Sequence, residues 1–135
     1  IFQDGEKYRM YYRGSHWDEK AKQATHPEVV CYAESNDGIH WRKPELGICE
    51  FNGSTANNIV WDGVGTHNFT PFKDTNPKCK PDAKYKALAR GRSLKKGDKS
   101  SQHGLFAFQS AEGLHWAMMR DTPVITDGAF DVQHK

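Results

Sequence analysis

Few side chains in this chain of 135 residues stand where acid–base, nucleophilic or metal chemistry could use them, and internal repetition decides which. Asp37 lies in Ser35-Asn36-Asp37-Gly38-Ile39-His40-Trp41, a stretch that returns 75 residues later as Ser110-Ala111-Glu112-Gly113-Leu114-His115-Trp116. A catalytic carboxylate has no reason to recur in every copy of a structural unit, so Asp37 and Glu112 read as turn formers. Asp74, beside Asn76-Pro77, has the same reading. Glu34 aligns with Gln109, so a carboxylate occurs there in one copy only and an acid role stays open for it. Two further short runs also align, His67-Asn68-Phe69 and Phe130-Asp131-Val132. Asn68 can hold a hydroxyl but cannot exchange a proton, whereas His67 can do both in a suitable environment. Asp131 either acts chemically or stabilises the turn that follows Asp127-Gly128.

These residues need a frame, and a second matched pair supplies it. Tyr8-Arg9-Met10-Tyr11-Tyr12-Arg13-Gly14 and Tyr85-Lys86-Ala87-Leu88-Ala89-Arg90-Gly91 precede the two turns at nearly equal distances. Two motifs in one order at one spacing mean a supersecondary unit used twice. Neither run has helical periodicity, and both are rich in aromatic and apolar residues and end in Gly, as strands do on leaving a sheet. Val29–Glu34 and Leu105–Gln109 read as the next strands, each running into the Ser-x-(Asp/Glu)-Gly turn. Trp41 and Trp116 then plug the space between sheets. Arg42–Phe51 and Ala117–Ile125 read as edge strands, because each carries a proline. The polar stretch Ser15–Pro27 reads as a long connection, with Trp17 packed on the sheet edge in preference to serving as a sugar-stacking platform.

Composition limits the classes of function. With 19 basic and 17 acidic residues the net charge is +2, too weak a field to argue for nucleic acid or an anionic membrane. The basic run from Arg90 to Lys99 reads as a solvated hairpin loop. Three cysteines without Cys-x-x-Cys spacing signal neither a disulfide framework nor a zinc knuckle, and Cys31 falls inside a strand as a small core residue. No apolar run is long enough to insert in a membrane. The chain opens on Ile1 and closes just after a new apolar run, so it reads as a piece of a longer protein.

Four strands per repeat, the Ser-x-Asp-Gly-x-x-Trp turn and the Tyr-x-Met-Tyr-Tyr strand resemble the blades of a β-propeller. More narrowly, they are similar to the five-bladed propellers of glycoside hydrolase families 32 and 43. The resemblance implies an all-β fold with residues 1–51 as strands two to four of one blade, 66–125 as a complete blade and 129–135 as the first strand of a third. It implies a funnel where carboxylates from different blades break a glycosidic bond: one protonates the leaving oxygen, another attacks or activates water. Asp131 then takes a catalytic place, matching the Asp of an Arg-Asp-Pro triplet in which this chain has Phe130 and Val132 instead. Asn68, His67, Gln133 and His134 become sugar-contacting residues. The implied partner is an oligo- or polysaccharide, no cofactor is implied, and the setting leans to extracellular or periplasmic. A non-catalytic sugar- or protein-binding propeller, or a sialidase-like one, is the alternative.

Overall fold

The computed structural model of the chain describes residues 1–92 and 103–126. Among them the only helical element is one turn of 3-10 helix, Pro81–Ala83; the rest of the regular structure is β. A first sheet is built from β1 (Phe2–Asp4), β2 (Lys7–Gly14), β5 (Val29–Ser35) and β6 (Ile59–Trp61), in the order β1-β2-β5-β6. Between β2 and β5 stands a small hairpin of its own, β3 (Trp17–Asp18) with β4 (Gln23–Ala24). The second sheet runs β7 (Thr70–Lys73), β8 (Tyr85–Arg92), β9 (His103–Ser110), β10 (Ala117–Met118), with β11 (Ile125–Thr126) also paired to β9. All pairings are antiparallel.

The repeat seen in the sequence is a repeat of register. Tyr8 faces Ser35 and Tyr85 faces Ser110, so both copies start their long central pair at the same point. The turn that follows is closed by its own side chains. Ser35 Oγ accepts from Gly38 N at 2.9 Å and Ser110 Oγ from Gly113 N at 2.8 Å. Asp37 Oδ1 accepts from His40 N at 2.8 Å and Glu112 Oε1 from His115 N at 2.6 Å. Gly38 and Gly113 take φ of +75° and +84°, a region where a side chain would be strained. The acids are turn formers, as their recurrence suggested. Hydrogen bonds from His40 and the turn backbone hold the Asp37 carboxyl well below the usual carboxylate range, and Asp37 in turn raises His40.

Two boundaries differ from the sequence reading. Phe2–Asp4 is already a strand, paired Phe2 to Arg9 and Asp4 to Lys7, so the first sheet does not begin at its second strand. Three residues are too few to display alternation. Nor does Arg42–Phe51 form the edge strand. Arg42 bridges Glu34, the chain then departs, and Ile59–Trp61 returns to complete the edge opposite Cys31 and Val30. The second sheet does the same, with Ala117 opposite Gln109 and Ile125 opposite Leu105. Pro44 and Pro123 lie inside the two departures, where the missing N–H costs no ladder bond. Trp17 is corrected as well: it is 54% exposed on the β3–β4 hairpin and is not packed on a sheet edge.

The two sheets pack face to face. Val30, Tyr32 and Val60 of the first meet Tyr85, Ala87, Ala89, Phe106, Phe108 and Trp116 of the second in one buried cluster. Phe69 and Trp61 wedge edge-on against Phe108, with centroids 5.2 and 5.4 Å away. The small residues of β8 permit this approach; a Cβ on Gly91 would lie 2.5 Å from Val64 Cγ1. At one end of the interface the contact turns polar. Asp4, with its side chain only 7% exposed, accepts from Tyr85 OH at 2.6 Å and pairs with Lys73. Arg9 Nε lies 2.7 Å from Asp4 Oδ2 but is not aligned with it, so that contact is ionic and not a hydrogen bond. Arg9 Nη1 and Tyr11 OH then donate to the carbonyls of Glu112 and Gly113, each at 2.7 Å. Burial pushes the Tyr11 hydroxyl up to about 12, so it stays a donor.

Burial opposes ionisation of Asp4, but bonds from Lys73 and Tyr85 and the charge of Arg9 outweigh it and leave its pKa below the ordinary value. Lys86 and the Asn76 backbone lower Asp74 to about 2. A carboxylate with a lowered folded pKa adds stability above its unfolded value and loses it as pH falls through the folded one. Denaturant melts should therefore show stability falling from about pH 4 downward. Asp4→Asn should cost about 2–3 kcal/mol at pH 7 and flatten part of that acid limb. Tyr11→Phe should cost about 1 kcal/mol, because the Gly113 carbonyl loses the shorter of its two donors and keeps only Trp116 Nε1.

Candidate functional site

Strand direction brings several polar side chains to the end opposite the repeated turns. β2 finishes at Gly14 and β5 begins beside it at Val29, while β8 finishes at Arg92 opposite His103. The segment entering β7 crosses between them. A cleft of about 470 Å³ opens there, lined by Tyr12, Arg13, Thr66, His67, Asn68 and Thr70 among others. His67 and Asn68 line the same hollow. Asp131, Gln133 and His134 lie outside the described residues, as do Phe130 and Val132 and the proposed third-unit strand 129–135.

Around His67 the structure assembles a cluster of three. Arg13 Nη1 is 3.0 Å from His67 Nδ1, and Glu28 Oε2 is 2.9 Å from the same nitrogen. Arg13 Nη1 is also 3.4 Å from Glu28 Oε1. A single ring nitrogen cannot serve both neighbours at once: bare, it accepts from Arg13, and protonated, it donates to Glu28. All three side chains are substantially exposed, at 43% for Arg13, 34% for Glu28 and 58% for His67. Exposed contacts of this kind contribute little to stability.

The remaining carboxylates are engaged elsewhere. Glu34 accepts from Tyr32 OH at 3.1 Å and pairs with Lys7 and Arg42 at the opposite end of β5 from Arg13 and His67. That placement removes it from the cleft. Asp74 pairs with Lys86 and caps Asn76 in its turn. Among the described residues no group of three or more His, Cys, Asp or Glu is arranged to hold a metal ion, and no helix is long and apolar enough to cross a membrane. Cys31, Cys49 and Cys79 are free thiols, with Cys31 buried.

Comparison with known proteins adds little to this geometry. No family model matches the chain, and no solved structure matches it. Two Mycobacterium tuberculosis proteins are similar over 56 residues at 41% identity: uncharacterized protein MT1551 of strain CDC 1551 / Oshkosh and uncharacterized protein Rv1502 of strain ATCC 25618 / H37Rv. The shared stretch is 40% of this chain and 18% of the length of each relative.

Glu28 escaped the sequence reading. Nothing in the run His26-Pro27-Glu28-Val29 distinguishes it, and its partner His67 lies 39 residues away. Arg13 is visible in the sequence as a residue that recurs as Arg90, which by itself favours hydrogen bonding between units over substrate binding. Glu28→Gln should change stability by less than about 1 kcal/mol, yet it should shift the ring nitrogen resonances of His67 in a nitrogen-detected NMR spectrum at fixed pH, because the acceptor facing Nδ1 becomes neutral.

Proposed function

We propose that the chain forms two neighbouring blades of a carbohydrate-active β-propeller resembling glycoside hydrolase families 32 and 43, and that the Arg13–His67–Asn68 cleft contacts the sugar. The observation that carries the blade reading is the repetition of one docking face. By register, Phe2, Arg9, Tyr11 and Arg13 of the first sheet correspond to Phe72, Lys86, Leu88 and Arg90 of the second. The first set faces the second sheet, with Arg9 and Tyr11 bonded to it. The second set lies on the far side of its own sheet, where Phe72 is 49% and Leu88 38% exposed. A sheet offering the same apolar face one step further on is what a fan of stacked blades requires, with each blade supplying what the next one covers.

The functional half of the reading rests on the place of the cleft. It opens at the strand ends shared by both sheets, away from the repeated turns, and its lining joins hydroxyl-binding groups to aromatic rings, the mixture that sugar recognition uses. Hydrolysis would draw on Asp131 as a carboxylate at this end, with a second carboxylate acting as the acid or base. A non-catalytic sugar-binding module is the rival, and one observation favours it: no carboxylate lines the cleft among the described residues, and the neighbouring Glu28 is held by Arg13 and His67.

A glycan array read beside a panel of aryl glycosides separates the two. Binding with turnover that Asp131→Asn abolishes supports the hydrolase. Binding without turnover, weakened roughly ten-fold by Asn68→Ala, supports the binding module. An array with no bound glycan rejects both.

A further inference from the structure

We infer that the cleft reads an acidic sugar, one carrying a uronate-type carboxylate, through two arginines that flank the start of β7. The inference rests on the carbohydrate reading above and specifies the sugar's chemistry. Asn68 and Thr70 are shared by two hollows, one on each side of the second sheet's first strand. The hollow between the sheets contains Arg13 and the hollow on the far face contains Arg90, the residue that corresponds to it in the repeat. Neither lining includes an aspartate or glutamate among the described residues.

Arg13 also has donors to spare. Every hydrogen bond and ion pair of Arg13 among the described residues is made by Nη1, to His67 and Glu28, which leaves the Nε and Nη2 edge of the guanidinium for a ligand. Glu28 and His67 are positioning residues in this scheme: they hold one arm of Arg13 so that less rotamer freedom is lost when the other meets an anion. A planar guanidinium edge matches a carboxylate through paired N–H donors, whereas a neutral hydroxyl uses at most one of them. Asn68, between the two arginines, supplies an amide for an adjacent ring hydroxyl. A neutral sugar would leave the Nε and Nη2 edge of Arg13 largely unused, so that pair of donors points to an anionic ring, with Arg90 adding a second positive charge from the neighbouring hollow.

Calorimetric titration of the protein with hexagalacturonate and with neutral maltohexaose tests this. The uronate should bind roughly ten-fold tighter, and its advantage should shrink as salt is raised from about 0.05 to 0.5 M. Arg13→Gln and Arg90→Gln should each erase most of that advantage while the melting temperature stays within about 3 °C. If the neutral hexamer binds as well as the uronate, the acidic-sugar inference falls and the carbohydrate reading stands. If neither binds, both fall. Displacement of hexagalacturonate by equimolar inorganic sulfate would reduce the site to general anion attraction and likewise overturn the inference.

Discussion

The structure depends on one joint, the polar clasp in which Asp4, Arg9 and Tyr11 of the first sheet meet Tyr85, Lys73 and the Glu112–Gly113 carbonyls of the second. Two apolar sheet faces can slide over one another with little change in buried area, since burial is not directional. A nearly buried carboxylate cannot slide, because every displacement would strip its partners while leaving its charge out of water. The clasp therefore sets the angle and register between sheets, and the aromatic cluster of Phe69, Phe108 and Trp116 fills the space so defined.

The second copy of the repeated turn is part of that joint. Its Ser and acidic side chains accept from the turn backbone, while the Glu112 carbonyl accepts from Arg9 and the Gly113 carbonyl is shared between Tyr11 of the first sheet and the motif's own Trp116 Nε1. In the second copy the motif is a docking point as well as a turn. The same construction settles the fate of the opposite end. With the turn ends clasped, the other strand ends are free to diverge, and the cleft holding Arg13, His67 and Asn68 opens between them.

Much of the frame was legible in the text of the chain. The long strands around Tyr11, Val30, Tyr85 and Phe106 lie where the aromatic and apolar runs placed them, because such side chains pack well on a pleated surface with at least one buried face. The pairing of the edges was not legible. Ile59–Trp61 stands out in the sequence as a short apolar run able to form a brief strand, but its pairing with Val30 after a long excursion depends on a distant partner. The candidate site divides in the same way. His67 and Asn68 stood out through alignment with Phe130-Asp131-Val132, while Glu28 joined them only because the ends of β2 and β5 lie side by side.

Taken alone, the sequence determined the repeat, the strand identity of its longest segments and the structural duty of Asp37 and Glu112, since each follows from residue type and spacing along the chain. Tertiary structure alone decided that Trp17 stands in solvent, that Glu34 sits at the far end of β5 from the cleft and that Arg13, Glu28 and His67 meet. The physical reason is range. Turn chemistry and strand alternation act over a few residues, whereas the grouping of charges depends on how two sheets are clasped, and that is written in contacts between residues as far apart as Arg9 and Glu112.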